Sequence, residues 1–148
     1  MPHRYIKKIL EARVYDAAIE TPLDDARGLT ERLGNRVLLK REDEQPVYSF
    51  KLRGAYNKMV QLSEQERDCG VIAASTGNHT QGVALFANNL RIPAKSVMPI
   101  PTPAITVVSL HYSASETVMY SDSYTVAYDP ARELYKTGIR VFLHTFYS

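Results

Sequence analysis

The sequence predicts an α/β fold, built as an open parallel sheet with flanking helices. Short apolar runs of strand length alternate with segments of helical periodicity, which is the pattern of βαβ units. Hydrophobic residues make up 45% of the 148-residue chain and charged residues 23%. This balance is typical of a chain that folds around its own core.

The composition argues against several kinds of partner. The net charge is only +2 and no basic stripe is present, so nucleic acid is not expected. No apolar run reaches the ~20 residues that a membrane span needs, so no membrane partner is expected either. Cys69 is the only cysteine, which excludes a disulfide framework and a cysteine-based zinc site. The first ten residues lack the apolar core of a signal peptide, and a cytoplasmic location is the simplest expectation.

The first third of the chain contains two predicted helices and one strand. Apolar side chains at helical spacing predict a helix over Tyr5–Ala17. The segment Thr21-Pro22-Leu23 is expected to be extended, because the residue before a proline is pushed out of the α region. A helix over Asp24–Leu33 and a strand over Val37–Leu39 follow.

From Ser49 onward the pattern is more regular. A helix is predicted over about Phe50–Leu62 with Ser49 as its N-cap, and Ser63 to Glu66 resembles a capping box. The other predicted strands are Val71–Ala74, Ala94–Met98, Thr117–Tyr120 and Ile139–Leu143, and the other predicted helices are His79–Leu90, Ile105–Leu110 and Tyr124–Tyr135.

Lys51 is the first candidate for a chemical role. It stands at a predicted helix start between apolar Phe50 and Leu52, and Gly54-Ala55 permits close approach of another backbone. Burial and the helix dipole would both disfavour an ammonium there. A neutral lysine amine can form a Schiff base with an aldehyde cofactor. Taken alone, however, a single lysine is more often a solvated surface group.

The turn Ser75-Thr76-Gly77-Asn78-His79 is the second candidate, because it leads from a strand into a helix. Backbone N–H groups at such a helix start suit a carboxylate or phosphate, and Asn78 adds a side-chain donor. The same residues also fit an ordinary structural turn, so both interpretations stay open. No histidine, cysteine or carboxylate lies at ligand spacing from His79, so no metal site is predicted.

Taken together, these motifs resemble the biosynthetic threonine dehydratases (threonine ammonia-lyases), a family of fold-type II pyridoxal-phosphate enzymes. The likeness extends from about Tyr5 to the region Pro99–Ile105. It is carried by Thr21-Pro22-Leu23, Lys40-Arg41-Glu42-Asp43, Gln45-Pro46-Val47, Ser49-Phe50-Lys51-Leu52-Arg53-Gly54-Ala55 and Gly77-Asn78-His79.

The resemblance implies pyridoxal 5'-phosphate as cofactor and a small amino acid as substrate. Lys51 would be the Schiff-base lysine and would carry the proton at the substrate α-carbon, Phe50 would pack against the pyridine ring, and Asn78 would bind the ring 3-hydroxyl. The substrate carboxylate would be held by Ser75, Thr76, Gly77, Asn78 and His79. The implied reaction converts L-threonine or L-serine into 2-oxobutanoate or pyruvate and ammonia, as in isoleucine biosynthesis.

The resemblance also implies a division of the chain. Residues 1–48 would belong to a large catalytic domain and residues 49–148 would form a small α/β domain, with the remaining catalytic domain and any regulatory domain absent. Three departures from the family pattern stand out. Arg91 occupies the place of a usual helix-ending glycine, Ala114-Ser115 replaces a Gly-Ala pair, and Pro130 interrupts the predicted helix Tyr124–Tyr135.

Two other functions remain open. The chain could be a non-catalytic remnant that folds as a small α/β domain, forms a homo-oligomer or associates with a full-length relative through an exposed face of residues 1–48. It could also be a cysteine-synthase-like binding module, which the context Arg53-Gly54-Ala55-Tyr56 disfavours. Cofactor binding separates the enzyme from the remnant, and turnover of threonine rather than sulfide chemistry separates it from the binding module.

Overall fold

The computed structural model describes residues 2–75, 77–112, 115–120, 122 and 141–144. These residues form a two-stranded antiparallel ribbon near the N-terminus and a four-stranded parallel sheet. The parallel sheet with its helices confirms the predicted fold class. The division of the chain near residue 48 stays a prediction.

The N-terminal part is built from short elements. They are α1 (Pro2–Glu11), a 3-10 turn (Val14–Asp16), β1 (Leu23–Asp25), α2 (Arg27–Leu33) and β2 (Leu38–Lys40).

The predicted starting residue of the second helix, Asp24, is wrong. Residues Leu23–Asp25 pair antiparallel with Leu38–Lys40, and the Ala26 N–H donates to the Val37 carbonyl at 2.9 Å. This pairing overrides the local helical periodicity, so α2 begins only at Arg27. The first predicted helix is also shorter than expected, because α1 ends at Glu11 and a 3-10 turn follows.

The second part of the chain contains the parallel sheet. Its elements are α3 (Lys51–Val60), α4 (Glu64–Cys69), β3 (Val71–Ala74), α5 (Asn78–Leu90), β4 (Ala94–Met98), α6 (Ala104–Tyr112), β5 (Glu116–Met119) and β6 (Val141–Phe142). The capping box at α4 is confirmed, since the Ser63 hydroxyl accepts from the Glu66 N–H and the Glu66 carboxylate accepts from the Ser63 N–H. The predicted helix Tyr124–Tyr135 lies outside the described residues.

The strand order of the parallel sheet is β5-β4-β3-β6. β3 is buried along its whole length, as expected for a strand with neighbours on both sides. The chain passes from β3 to β4 on one side and returns to β6 on the other. The strand order therefore reverses between β3 and β6, and such a switch point opens a crevice at the carboxyl ends of the strands.

Helices α3 and α5 pack against each other with very little space between their backbones. A Cβ added to Gly82 would lie 3.3 Å from the Leu52 Cα and 3.5 Å from the Ala55 Cβ. Gly54 takes no part in this contact, because it is exposed and no described atom lies within 4 Å of a Cβ added there. The close approach expected at Gly54-Ala55 is therefore made by Ala55 and by the glycine of the opposite helix.

Two residues that depart from the family pattern, Arg91 and Ser115, are among the described residues, whereas Ala114 and Pro130 lie outside them. Arg91 ends α5 in the left-handed conformation, with φ 56° and ψ 39°. A side chain makes this conformation costly, which explains why glycine is the usual residue there. The Ser115 hydroxyl is buried and lies 2.9 Å from the equally buried Ser96 hydroxyl, so the polar atom added at this position has a partner.

We expect the two helical glycines of this packing layer to respond oppositely to alanine. Gly82→Ala places a methyl group against the Leu52 backbone, which cannot rotate away, and should lower the free energy of unfolding by about 1–2 kcal/mol. Gly54→Ala, the matched control, should raise it by up to about 1 kcal/mol through helix propensity. Urea unfolding followed by circular dichroism measures both, and changes of the same sign would contradict the packing described here.

A second pair of substitutions tests the left-handed helix ends. Arg91→Gly should raise the free energy of unfolding by about 0.5–1 kcal/mol, because glycine adopts this conformation without a Cβ clash. Gly34 ends α2 in the same conformation, with φ 63°, and a Cβ there meets no described atom within 4 Å. Gly34→Ala should therefore lower the free energy of unfolding by about 1 kcal/mol through backbone conformation alone. No gain for Arg91→Gly in urea unfolding would show that the arginine side chain offsets its backbone cost.

Candidate cofactor site

The candidate site lies at the carboxyl end of the parallel sheet, where the strand order reverses. Ser75 follows β3 directly, and its N–H donates to the Val97 carbonyl of β4 at 3.3 Å. Leu143 and His144 follow β6, and the Leu143 N–H donates to the Ile72 carbonyl at 2.8 Å. Parallel pairing thus brings residues from two distant segments to the same sheet edge.

Lys51 is the first residue of α3 and is half-buried. Phe50 occupies the N-cap position without a capping hydrogen bond from its side chain. Ser49, predicted as the N-cap, lies one residue earlier, and its hydroxyl accepts from the Lys51 N–H at 3.3 Å. The serine therefore still binds a backbone donor at the helix start, from outside the regular N-cap position.

Lys51 opens onto a cavity of about 220 Å³. The described residues that line it are Phe50, Lys51, Arg53, Gly54, Ala55, His79 and His144. A cavity of about 150 Å³ already admits a benzene ring, so this one has room for a substituted aromatic ring. Its basic side chains, with no carboxylate among the described lining residues, favour a ligand that carries negative charge.

His79 is buried rather than solvated at the helix start. Its Nε2 lies 3.1 Å from the Leu143 carbonyl oxygen. A carbonyl can only accept, so Nε2 carries the proton in this hydrogen bond. Burial lowers the pKa of His79 below its usual value, and the hydrogen bond to Leu143 partly opposes this effect.

The predicted substrate-binding turn is only partly described. Thr76 lies outside the described residues, Ser75 is buried, and the Gly77 N–H donates to the Ser75 hydroxyl at 3.4 Å. Thr80 fixes the start of α5, because its hydroxyl donates to the carbonyls of Ser75 and Gly77, each at 3.0 Å. The predicted carboxylate-binding role of this turn stays a prediction.

Asn78 is exposed and lines a second cavity, of about 410 Å³. The described residues around it are Pro46, Val47, Tyr48, Asn78, Gln81, Leu85 and Ile105. Tyr48 has φ 53°, a left-handed conformation that is uncommon for an aromatic residue and stores backbone strain three residues before Lys51. The structure thus brings Phe50, Lys51 and His79 into one cavity and places Asn78 in the neighbouring one.

A hydrogen-bonded ion pair ties the lysine helix to the N-terminal part of the chain. Arg53 donates from Nε and Nη2 to the two carboxylate oxygens of Glu42, at 2.8 and 2.9 Å. The Thr21 hydroxyl donates to the same carboxylate at 2.7 Å. Gln45 is fully buried, donates to the Ile19 carbonyl at 2.8 Å and accepts from the Ile19 N–H at 3.0 Å. Three separate segments of the chain therefore meet two residues beyond Lys51.

This network favours the ionised form of Glu42. The hydrogen bond from Arg53, supported by those from Thr21 and Gln45, lowers the pKa of Glu42 to about 2 against the opposing effect of burial. The pKa in the folded chain lies below the unfolded value of about 4.5, so the carboxylate stabilises the fold above that pH. The contribution is lost as the pH falls from 4.5 toward 2.

We expect Glu42→Gln to lower the free energy of unfolding at pH 7 by about 2 kcal/mol, a value that allows for partial solvent screening. The difference in unfolding free energy from the unsubstituted chain should narrow as the pH falls from 4.5 toward 2, because Glu42 then binds a proton in the unfolded chain before it does so in the folded one. Urea unfolding at pH 7, 5, 4 and 3 measures this. Glu31→Gln, at an exposed position on α2, is the control and should change little. A difference in unfolding free energy that stays constant with pH would contradict the lowered pKa of Glu42.

His144, Arg53 and Glu42 were not among the residues that the sequence predicted for the site. A signal for His144 was present, because it directly follows the predicted strand Ile139–Leu143 and Ser75 directly follows Val71–Ala74. Carboxyl ends of parallel strands meet at one sheet edge, so adjacent strands place these residues together. Which strands are adjacent depends on tertiary structure.

Comparison with known proteins identifies the family. A family model of pyridoxal-phosphate dependent enzymes matches residues 14–148. The chain belongs to this family. The motif resemblance is thereby confirmed, and pyridoxal phosphate is the cofactor class of the family.

The matched relatives and structures are larger than this chain. Biosynthetic L-threonine dehydratase IlvA of Burkholderia multivorans is 47% identical over 147 residues, which cover 97% of this chain and 29% of the relative. Biosynthetic chloroplastic threonine dehydratase of Arabidopsis thaliana is 51% identical over 123 residues, which cover 83% of this chain and 21% of the relative. The processed form of threonine deaminase isoform 2 from Solanum lycopersicum superposes with a TM-score of 0.90 at 45% identity, covering 97% of this chain and 42% of that structure. The chain therefore spans less than a third of these curated relatives.

The described residues fit the ring and aldehyde end of pyridoxal phosphate. The cavity offers a lysine amine, the exposed aromatic side chain of Phe50 and enough volume for a substituted ring. Across the described part of the chain, no helix is long and apolar enough to cross a membrane. Within the same residues, no group of three or more histidine, cysteine or acidic side chains could hold a metal ion.

Proposed function

We propose that this chain binds pyridoxal 5'-phosphate through Lys51 and that it carries the lysine side of a threonine dehydratase site. The single observation that supports this most directly is the position of Lys51. The half-buried amine stands at the start of α3, in a cavity of ring size that opens at the switch point of a parallel sheet. Ligands of open α/β sheets bind in that position.

Each residue would have a separate task. Lys51 Nζ would hold the cofactor by its aldehyde carbon, with loss of water, until the substrate amine replaces it there, and the freed lysine amine would then accept the proton from the substrate α-carbon. Phe50 would cover one face of the ring. Asn78 lines the other cavity in the chain without cofactor, and its hydrogen bond to the ring 3-hydroxyl is proposed from the family resemblance alone. Ser75, Gly77 and the first N–H groups of α5 would bind the substrate carboxylate. The cofactor would supply an electron sink at the α-carbon.

The substrate proposal depends on the relatives' names. The curated relatives compared above are named threonine dehydratases, and the superposed tomato protein is a threonine deaminase. We therefore propose L-threonine or L-serine as substrate, with loss of the β-hydroxyl and release of 2-oxobutanoate or pyruvate and ammonia. A role in isoleucine biosynthesis and a cytoplasmic location are part of the same proposal.

An absorption titration tests cofactor binding. Pyridoxal phosphate added to the purified chain should give a near-visible band that saturates at about one equivalent, because a single lysine occupies the cavity lining described here. Borohydride reduction followed by peptide mass spectrometry should find the added mass on Lys51. Lys51→Ala should lose both signals.

Lys58→Ala is the matched control, because Lys58 is an exposed lysine two turns further along the same helix. It should leave the titration unchanged. Equal and unsaturable absorption in all three proteins would mean that surface lysines react at random, and the cofactor proposal would then be abandoned.

A second candidate function, association with another chain, is supported by the apolar surface of the N-terminal part. Several large apolar side chains there are exposed, among them Ile9 at 70%, Leu10 at 80% and Leu33 at 59%. β1 and β2 form a ribbon of two strands, so each has one edge without a partner in its own sheet. Apolar patches beside open strand edges favour association with a second copy or a longer relative. The titration separates the two candidates, because association alone needs no reactive Lys51.

A further inference from the structure

The His79 ring forms a hydrogen bond to the end of β6. His79 is 6% exposed, and its Nε2 donates to the Leu143 carbonyl, 64 residues away in sequence. The next residue, His144, lines the lysine cavity, and its ring meets the edge of the Phe142 ring with centroids 5.7 Å apart. The buried imidazole thus holds the strand end that carries the second imidazole.

Four basic side chains from three elements line the cavity. Lys51 and Arg53 come from α3, His79 from α5 and His144 from the end of β6. Glu42 forms a two-point ion pair with Arg53 and is the acidic group that balances its charge. Positive charges that line one cavity repel one another, and the repulsion is stronger where water is partly excluded.

The electrostatics of His79 agree with this arrangement. Burial lowers its pKa most strongly, and the nearby Lys51 and His144 lower it further, against the hydrogen bond to Leu143. The neutral ring, with its proton on Nε2, is the form that the hydrogen bond to the Leu143 carbonyl requires.

We propose that His79 is a positioning residue of the lysine cavity: it donates to the Leu143 carbonyl, anchors the end of β6 and so keeps His144 at the cavity wall beside Lys51. The ring at position 79 stays neutral, because burial and the nearby charges of Lys51 and His144 disfavour a proton on its second nitrogen. These effects on His79 exist in the chain without cofactor. Their chemical use, a cavity in which the Lys51 amine can meet an aldehyde, rests on the proposed function.

Histidine titration by NMR tests these effects on His79 without any cofactor. The chain has only four histidines, and His79→Gln assigns the signal of the buried ring. The pKa of His79 should rise in Lys51→Met and also in His144→Gln, because each substitution removes a nearby positive charge. Lys58→Met on the same helix should leave it unchanged, since seven residues along a helix is about one Debye length.

A His79 titration that is unchanged in both Lys51→Met and His144→Gln would overturn the proposal. The result is independent of cofactor binding, so it can fail while the absorption titration succeeds, or succeed while that titration fails. Both substitutions are at half-buried positions of the cavity wall, which keeps loss of folding from deciding the outcome.

The anchoring role has its own readout in amide hydrogen exchange. The Leu143 N–H is bonded to the Ile72 carbonyl and reports whether the strand end stays in place. His79→Leu should accelerate hydrogen exchange at the Leu143 amide about tenfold or more, since the side-chain donor to the Leu143 carbonyl is lost. His79→Gln retains a side-chain N–H donor and should restore most of the protection. Equal protection in His79→Leu and the unsubstituted chain would show that the imidazole does not hold β6.

Discussion

The contact between α3 and α5 determines where the site residues stand. The two helices meet backbone to backbone because Gly82 has no side chain, with the Leu52 Cα at 3.3 Å from the position a Cβ would take. Leu52 lies in the first turn of α3 and Gly82 in the second turn of α5, so the contact is close to the starts of both helices. Tyr56 and Phe86 continue the contact with ring centroids 5.0 Å apart. The chemistry proposed for Lys51 therefore depends on a packing contact that begins at Ala55 in the cavity wall and continues away from it.

Titratable and charged side chains lie on two sides of α3. Inside the cavity, burial keeps His79 in its neutral form, and on the far side Glu42 balances Arg53. The Glu42 network also includes Thr21, Gln45 and Ile19, so residues far apart in sequence hold the start of α3. An ion pair that is shielded from water and satisfied by further hydrogen bonds is costly to break, because removing one partner leaves a charge without compensation. The fixed position of α3 is thus an electrostatic as well as an apolar effect.

Local patterns in the sequence predicted most of the sheet domain. Strands β3 and β4, helix α5 and the capping box at Ser63 follow from short-range signals, and the structure confirms them. The sequence predicted that Gly54 of α3 permits the close helix contact, whereas the glycine at that contact is Gly82 of α5. Leu52, Ala55, Tyr56 and Met59 form the buried stripe of α3, and Gly54 lies off that stripe, so helical spacing could have excluded it.

Other features needed contacts that local patterns do not contain. The start of the helix predicted at Asp24 failed because β1 pairs with β2, an interaction between residues more than ten positions apart. His144 was missed for the same reason, since its position depends on the pairing of β6 with β3. Motifs identified the family, whereas the place of His144 in the cavity wall depends on which strands are adjacent. The position of His144 is hard to predict from sequence, because no neighbouring residue indicates which strand pairs with β6.

The 64 residues that separate His79 from Leu143 have a consequence for biosynthesis. A ribosome that adds about 5–20 residues per second needs roughly 3–13 s to cover that distance. Helices form in microseconds or less, so α3 and α5 are both available to pack long before the last strand has been made. Closing so long a loop costs only slightly more free energy than closing a short one, because the entropy grows with the logarithm of loop length. Lys51 thus emerges on its helix seconds before His144, which completes the described wall of its cavity.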